Sequence, residues 1–264
     1  MIYSDFHMHT TFCDGKNSPE EMVLSGIEKG LKQMGICAHS YQFFDEGFCI
    51  KKDRVSDFIL EMRRLKEKYK DKIQVFCGVE QEYFSDTETF GFDYVIGSCH
   101  YIKKDGKYLD VDYTADIFKD NVEKYYGGDF YAYCEDYYNT VSDIVEKTDC
   151  DIIGHFDIVS KFNEGGKYFD FSHPRYVAAY KKAVDRLIKY DVPFEINTGA
   201  ISRGYREVPY PSSDIIEYIL SCGGNFILSS DAHSVETIGF QFDKCIEILE
   251  RKNAFNHIVF TLDI

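Results

Sequence analysis

Tyr3-Ser4-Asp5-Phe6-His7-Met8-His9 reads as a short strand that ends in two histidines one residue apart. Side chains at i and i+2 of a strand point to the same face, so the two imidazoles converge on one point, as a divalent metal requires. An isolated H-x-H reads equally well as two half-exposed histidines on an edge strand. The rest of the chain decides between the two. His39, Glu80, His100, His155, Asp231 and His233 also stand where an apolar run ends. Six of the eight histidines occupy such ends, which a surface scatter would not produce.

Outward from this stretch, short apolar strands alternate with amphipathic helices, and alternating β and α implies a parallel sheet. The first helix is signalled by Ser18 as N-cap, Pro19 at the first helical position and Glu21 three residues after the cap. Strands over 34–38, 73–79, 94–99 and 151–154 deliver His39, Glu80, His100 and His155. A strand over 193–197 follows, and one over 225–230 delivers Asp231 and His233. Helices are expected over 53–69, 115–125, 130–147, 213–221 and 235–251, with another capped near Ser172 and carrying Pro174 in its first turn. Residues 258–260 read as a terminal strand. A doubly wound open sheet gathers ligands from two or three strands at its switch point, whereas here at least six contribute. The expected fold is therefore α/β, a closed or nearly closed barrel of seven βα units with its site at the carboxyl ends of the strands.

Composition narrows the function. The 264 residues suit one domain over 1–264, and no run is apolar for long enough to span a membrane. No basic-then-apolar leader follows Met1. The nine cysteines are odd in number and none lie in C-x-x-C spacing, so reduced thiols and a cytoplasmic location are expected. A formal charge of −15 argues against non-specific binding of a nucleic-acid backbone, and a small ligand is expected instead.

The segments DFHMHTTFCDG at 5–15, CAHS at 37–40, GVEQEYF at 78–84, FDYVIGSCHYI at 92–102, IIGHFDIVSKF at 152–162, FEINTGAISRG at 194–204 and SSDAHS at 229–234 together resemble the PHP (polymerase and histidinol phosphatase) metallohydrolases. The resemblance covers essentially the whole chain. Within the family, FDYVIGSCH, GHFD followed by Lys161-Phe162, and EINT followed by Arg203 and Tyr210-Pro211-Ser212 look like the histidinol-phosphatase branch.

What the resemblance implies is a distorted (β/α)7 barrel holding two or three divalent ions of zinc, manganese or iron. It places His7, His9, Glu80 and Asp231 around a first metal, with Glu80 bridging to a second held by His100 and His155. Asp14, His39 and His233 would take a third. Many relatives have histidine in the region of Asp14, and a harder oxygen ligand there favours manganese or iron over zinc. The implied reaction is hydrolysis of L-histidinol phosphate by in-line attack of a metal-bound hydroxide. Asp231, Glu80 and Arg203 would serve catalysis, with Asp231 or a water on the third metal as proton donor. The chemistry itself calls for such a cluster, because phosphate monoesters need rate enhancements of up to about 10²¹-fold.

Arg203, in the loop after the sixth strand, is the main phosphate-binding candidate because a guanidinium fork matches phosphate oxygens. Arg206 is the reserve, and Lys161 is within reach of the same group. Glu82 shares the face of Glu80 and would bind the substrate's ammonium or orient a ligand. Ser98, Glu195 and Asn197 are supporting candidates, and Tyr41, Phe43, Tyr83 and Tyr101 are aromatics near ligand positions. His173 and His257 read as ordinary structural histidines. Three other readings stay open: the same site acting on a nucleotide, phosphotyrosine or short phosphodiester; structural metals in a binding module; and an amidohydrolase or deaminase, which also uses H-x-H on a barrel.

Overall fold

Neighbouring strands of the main sheet follow chain order and all run parallel, which requires a crossover between each pair. In the computed structural model, which describes residues 4–262, the strands are β1 (Ser4–Asp5), β2 (Gln33–His39), β3 (Gln74–Glu82), β4 (Tyr94–Ser98), β5 (Tyr101–Lys104), β6 (Lys107–Asp110), β7 (Ile152–Ile153), β8 (Phe194–Asn197), β9 (Phe226–Ser229) and β10 (Ile258–Val259). Tyr3 lies outside the described residues. The sheet order is β1-β2-β3-β4-β7-β8-β9-β10, and β5–β6 is a separate antiparallel hairpin.

The sheet curls until its ends meet. Just beyond β1 and β9, Met8 pairs with Ala232: the His9 N–H donates to the Ala232 carbonyl (2.8 Å) and the Ala232 N–H to the His7 carbonyl (3.1 Å). At the other end of the seam β10 pairs with β9, Ile258 opposite Phe226, and the Ser4 hydroxyl donates to the Phe260 carbonyl. The seam is thus joined directly at the carboxyl end and wedged by β10 at the amino end. This is the distorted barrel expected, with seven strands bearing the site and the 258–260 segment supplying the eighth.

Inside the barrel lie Phe6, Cys37, Phe76, Tyr94, Ile96, Ile152 and Ile227. Tyr94 crosses the interior and donates its hydroxyl to the Phe6 carbonyl. It fits only because β2 and β3 carry Gly35 and Gly78 beneath it, where an added Cβ would meet the Tyr94 hydroxyl at 2.2 Å and the ring carbon that bears it at 2.2 Å, respectively. Helices cover the outside. Ser18 caps α1 (Pro19–Glu28) in a capping box, its N–H donating to the Glu21 carboxylate at 2.7 Å. Phe58, Met62 and Leu65 face inward from α2 (Val55–Tyr69).

Four local expectations change. The hairpin was not anticipated, although Asp105-Gly106, both with positive φ, is a strong two-residue turn signal. After α3 (Ala115–Tyr126), the expected 130–147 helix divides into α4 (Phe130–Val141) and α5 (Ile144–Thr148), because the backbone leaves helical geometry at Asp143. The cap of α6 (Pro174–Leu187) is His173, whose Nδ1 accepts from the Arg175 N–H, while Ser172 donates to Asp170. Past α7 (Gly199–Ser202) and α8 (Ser213–Ser221), the last helix, α9 (Phe242–Arg251), begins later than expected. The Gly239 N–H is held by the buried Asp5 carboxylate at 3.1 Å, and Gln241 has φ +55°.

Candidate metal centre

Strand register brings His39 beside Glu80, the two being direct partners in the β2–β3 pair. Glu80 is the hub. Its Oε1 lies 2.9 Å from His155 Nε2 and 3.4 Å from His100 Nε2. Its Oε2 lies 2.7 Å from His39 Nδ1, 3.3 Å from His7 Nε2 and 3.4 Å from His9 Nε2. Asp231 Oδ1 stands 3.7 Å from His9 Nε2 and 3.9 Å from His7 Nε2. Asp14 faces His39 Nε2 at 3.5 Å and His233 Nε2 at 3.2 Å. Seven of these nine residues line a cavity of about 240 Å³, and His7 and His9 are fully buried.

The residues fit divalent cations. Among the described residues, Glu80 Oε2, His39 Nδ1 and His155 Nδ1 are buried without a hydrogen-bond partner, and the Nε2 atoms of His7 and His9 are 3.1 Å apart. Ligand atoms lie within 4.8 Å of one another in three sets: His9, Asp14, His39 and His233; His7, Glu80 and His155; and His39, Glu80 and His100. These overlap more than the partition that the family resemblance implied. His39 addresses Asp14 with one ring nitrogen and Glu80 with the other, and His9 joins the Asp14 set. Cys37, in the barrel interior, also reaches His7 and His9. Burial pushes its thiol well above the usual range and its Sγ faces the Met8 carbonyl at 3.6 Å, so it stays a neutral packing group.

Buried carboxylates behind the histidines set their orientation. Glu195 Oε1 is 2.7 Å from His7 Nδ1, while its Oε2 accepts from the His155 N–H (2.9 Å) and the Asn197 amide (3.1 Å). Glu82 Oε2 accepts from the His100 N–H (2.8 Å) and lies 3.0 Å from His100 Nδ1. Asp5 accepts from the backbone of His7, Ser230 and Gly239 and so ties together the two segments that meet at the seam.

The charges are mutually adjusted. Burial works against ionisation of Glu80, but His39, His7 and His100 outweigh it and hold the carboxyl well below its usual range. His100 is pushed up to about 10, against burial, chiefly by Glu80 and Glu82. His9 is pushed well below the usual histidine value by burial and by the neighbouring His39 and His233, and is therefore neutral and free to ligate. Burial opposes the charge of Asp231 as well, yet Arg203 and His7 hold it ionised.

Of the substrate-binding candidates, Arg203 and Lys161 line the cavity. Arg203 Nη2 donates to Asp231 Oδ2 at 2.9 Å, over Gly199, where a Cβ would sit 2.5 Å from the same oxygen. Lys161 donates to the Asp112 carbonyl (2.6 Å) and carboxylate (3.0 Å). The other three candidates do not face the cavity. Arg206 is buried on Ser160 and Asp157, and Glu82 turns Oε2 to His100 while its Oε1 is buried with no hydrogen-bond partner among the described residues. Ser98 lies under Gly154, whose Cβ would meet its hydroxyl at 2.3 Å. None of Tyr41, Phe43, Tyr83 and Tyr101 lines the cavity, whereas Phe48, Tyr113 and Tyr205 do. Asp110 and Asp112, at the end of the unanticipated hairpin, complete the wall. Burial and the adjacent Asp112 push Asp110 up to about 7, while Lys161 outweighs burial to keep Asp112 low.

A parallel barrel with a polynuclear set of histidine and carboxylate ligands at its mouth defines a metal-dependent hydrolase class. The PHP domain model matches residues 5–199, and the chain belongs to this family. It is 23% identical over 266 residues to the histidinol-phosphatase of Bacillus subtilis, covering 92% of this chain and 98% of that one. A crystal structure from Listeria monocytogenes matches with TM-score 0.81 at 22% identity, covering 91% of this chain and 99% of the other. The histidinol phosphate phosphatase of Lactococcus lactis, solved with zinc, L-histidinol and phosphate, matches with TM-score 0.68 at 20% identity over 97% and 95% of the two chains.

Proposed function

We propose that the protein is a metal-dependent phosphomonoesterase that hydrolyses L-histidinol phosphate to L-histidinol and phosphate. The observation that carries this reading is the Glu80 hub, whose two oxygens each face a separate set of imidazoles across one open cavity. Full-length relatives named histidinol-phosphatase, and the Lactococcus lactis complex with zinc, L-histidinol and phosphate, support the substrate. His7, His9, Asp14, His39, Glu80, His100, His155, Asp231 and His233 would hold two or three ions. Bound divalent cations supply acidified water and neutralise phosphoryl charge.

The chain's own groups supply the rest. Arg203 presents a guanidinium to the phosphoryl oxygens and keeps Asp231 ionised. An ionised Asp231 accepts the proton of the attacking water as the oxygen–phosphorus bond forms in line with the leaving oxygen. The leaving oxygen departs on the opposite side of phosphorus, so it takes a proton from water there as the ester bond breaks, and the proton held on Asp231 returns to solvent to restore that water. Lys161, fixed on Asp112, adds positive charge on the facing wall. The chain's formal charge of −15 supports a small substrate over a nucleic-acid backbone, and no described helix is long and apolar enough to cross a membrane. Its nine free thiols support a cytoplasmic setting.

The test is phosphate release by purified protein loaded in turn with manganese, zinc and iron. L-histidinol phosphate should be turned over far faster than an aryl phosphate. Efficient cleavage of a nucleotide or phosphotyrosine, with L-histidinol phosphate inert under all three metals, would replace the substrate and keep the chemistry.

A further inference from the structure

Two arginines three residues apart in the loop between β8 and α8 have opposite surroundings. Arg203 reaches the cavity, and Arg206 is 5% exposed and points the other way. Arg206 Nη1 donates to the Ser160 hydroxyl at 2.8 Å and lies 3.5 Å from Asp157 Oδ2, with its guanidinium 4.6 Å from the centre of the Tyr210 ring. Asp157, fully buried, also accepts from the Ser212 N–H at 3.1 Å and from the Ser160 hydroxyl. A buried pair of charges is a costly way to hold two segments together, and a hydrophobic pair of similar volume would serve stability as well or better. What the pair adds is direction.

We propose that the Arg206–Asp157 pair is a positioning device that aligns two substrate-facing loops, so that Arg203 and Tyr205 on one oppose His155 and Lys161 on the other. The inference rests on the phosphate-ester reading of the cavity. Asp157 and Ser160 belong to the segment that carries His155 and Lys161 into the cavity, and Arg206 and Ser212 belong to the segment that carries Arg203 and Tyr205. Outside the pair the same two segments touch again. Lys161 Nζ sits 4.9 Å from the Tyr205 ring centre, Phe162 packs edge-on against Tyr205 at 5.7 Å, and the Glu207 N–H donates to Glu164. Removing the pair would let the Arg203 fork drift relative to the phosphate, and a displacement of an ångström is enough to cost about 100-fold. Arg206 itself never meets the substrate. It acts through Arg203.

The test uses metal-loaded protein and inorganic phosphate as the ligand, which has no leaving group and so does not depend on which ester is hydrolysed. Removing one charge alone would strand the other, so the variant is R206M/D157N, in which the asparagine still accepts from the Ser212 N–H. Metal content should match the parent, while the inhibition constant for phosphate and the KM for an aryl phosphate rise about 10–100-fold and kcat falls about threefold or less. In an R203M background the same double substitution should change phosphate affinity less than about twofold, because the residue through which it acts is gone. If R206M/D157N does not fold, R206K, which keeps the charge and loses the fork, is compared in both backgrounds by the same criterion. Unchanged phosphate affinity, or a full additional loss in the R203M background, overturns the proposal. Failure of the parent to hydrolyse L-histidinol phosphate while binding phosphate overturns the substrate alone, and failure to bind phosphate at all overturns both.

Discussion

The floor and the mouth of the barrel are built from the same strands, yet one is complete and the other is not. In the floor, Phe6, Phe76, Tyr94, Ile96, Ile152 and Ile227 fill the interior with carbon, and the one prominent polar group, the Tyr94 hydroxyl, has its acceptor in the Phe6 carbonyl. One residue beyond Phe6, and four beyond Phe76, the chain places His7 and Glu80, and there Glu80 Oε2, His39 Nδ1 and His155 Nδ1 stay buried with no hydrogen-bond partner among the described residues. A floor of this kind holds the fold by dispersion and burial. A mouth of this kind is held in place by the floor and by carboxylates behind it, and its unspent donor capacity is directed at cations. Substitutions in the two regions should therefore separate stability from activity.

The largest effect is expected at the hub. Glu80→Gln removes the charge shared by both imidazole sets and should lower kcat by about 10³-fold or more, with metal content below that of the parent and little change in far-UV circular dichroism. Full loading with near-parental turnover would break the contrast on the mouth side. Next comes Tyr94→Ala, which empties the floor and should cost about 3–5 kcal/mol of stability in urea denaturation, while the folded fraction keeps parental kcat within a few-fold. A large kcat loss at unchanged stability would reverse the assignment of the floor. Glu195→Gln touches no substrate, and its effect should be intermediate: about 10–100-fold weaker metal binding, read by competition with a chelator. An unchanged affinity would show that His7 is oriented without it.

Proton competition gives a smaller, graded effect. His100 is raised to about 10 in the metal-free protein. The stability it gains beside Glu80 and Glu82 is thus fully present below the ordinary histidine pKa, about 6.5, and is lost as pH rises through about 10. Ligation needs the ring neutral, so metal affinity should strengthen over the same interval, by about tenfold per pH unit for each displaced proton, with protons released on loading. Calorimetric titration in buffers of different ionisation enthalpy checks this, and an affinity flat from pH 6 to 9 would contradict it. The smallest effect belongs to a histidine outside the site. His173→Ala removes the α6 cap and should cost about 1 kcal/mol with no change in turnover.

The parts of this design legible in the sequence are those dictated by local period and by strand ends. His39, Glu80, His100 and His155 could be placed because an apolar run stops at each, and Ser18 because its capping box is contiguous. Asp110 and Asp112 were missed because the hairpin that carries them is short and only its Asp105-Gly106 turn announces it. Arg203 and Arg206 could not be told apart by composition, since three residues of irregular loop decide which one turns inward. Glu82 shares the barrel-facing side with Glu80, as period two requires, but its role depends on where the His100 ring falls, a contact between strands. Ser172 and His173 are both competent caps, and Asp170 settles the choice by engaging the serine.

The seam between Met8 and Ala232 also carries a temporal meaning. During synthesis, His7 and His9 leave the ribosome more than two hundred residues ahead of the segment whose backbone aims them, a wait of roughly 10–45 s at about 5–20 residues per second. For that interval the nascent chain displays loose imidazoles and thiols to whatever ions the cell offers. The full ligand set is complete only once the final strands, with Asp231 and His233, have emerged and the ring has shut.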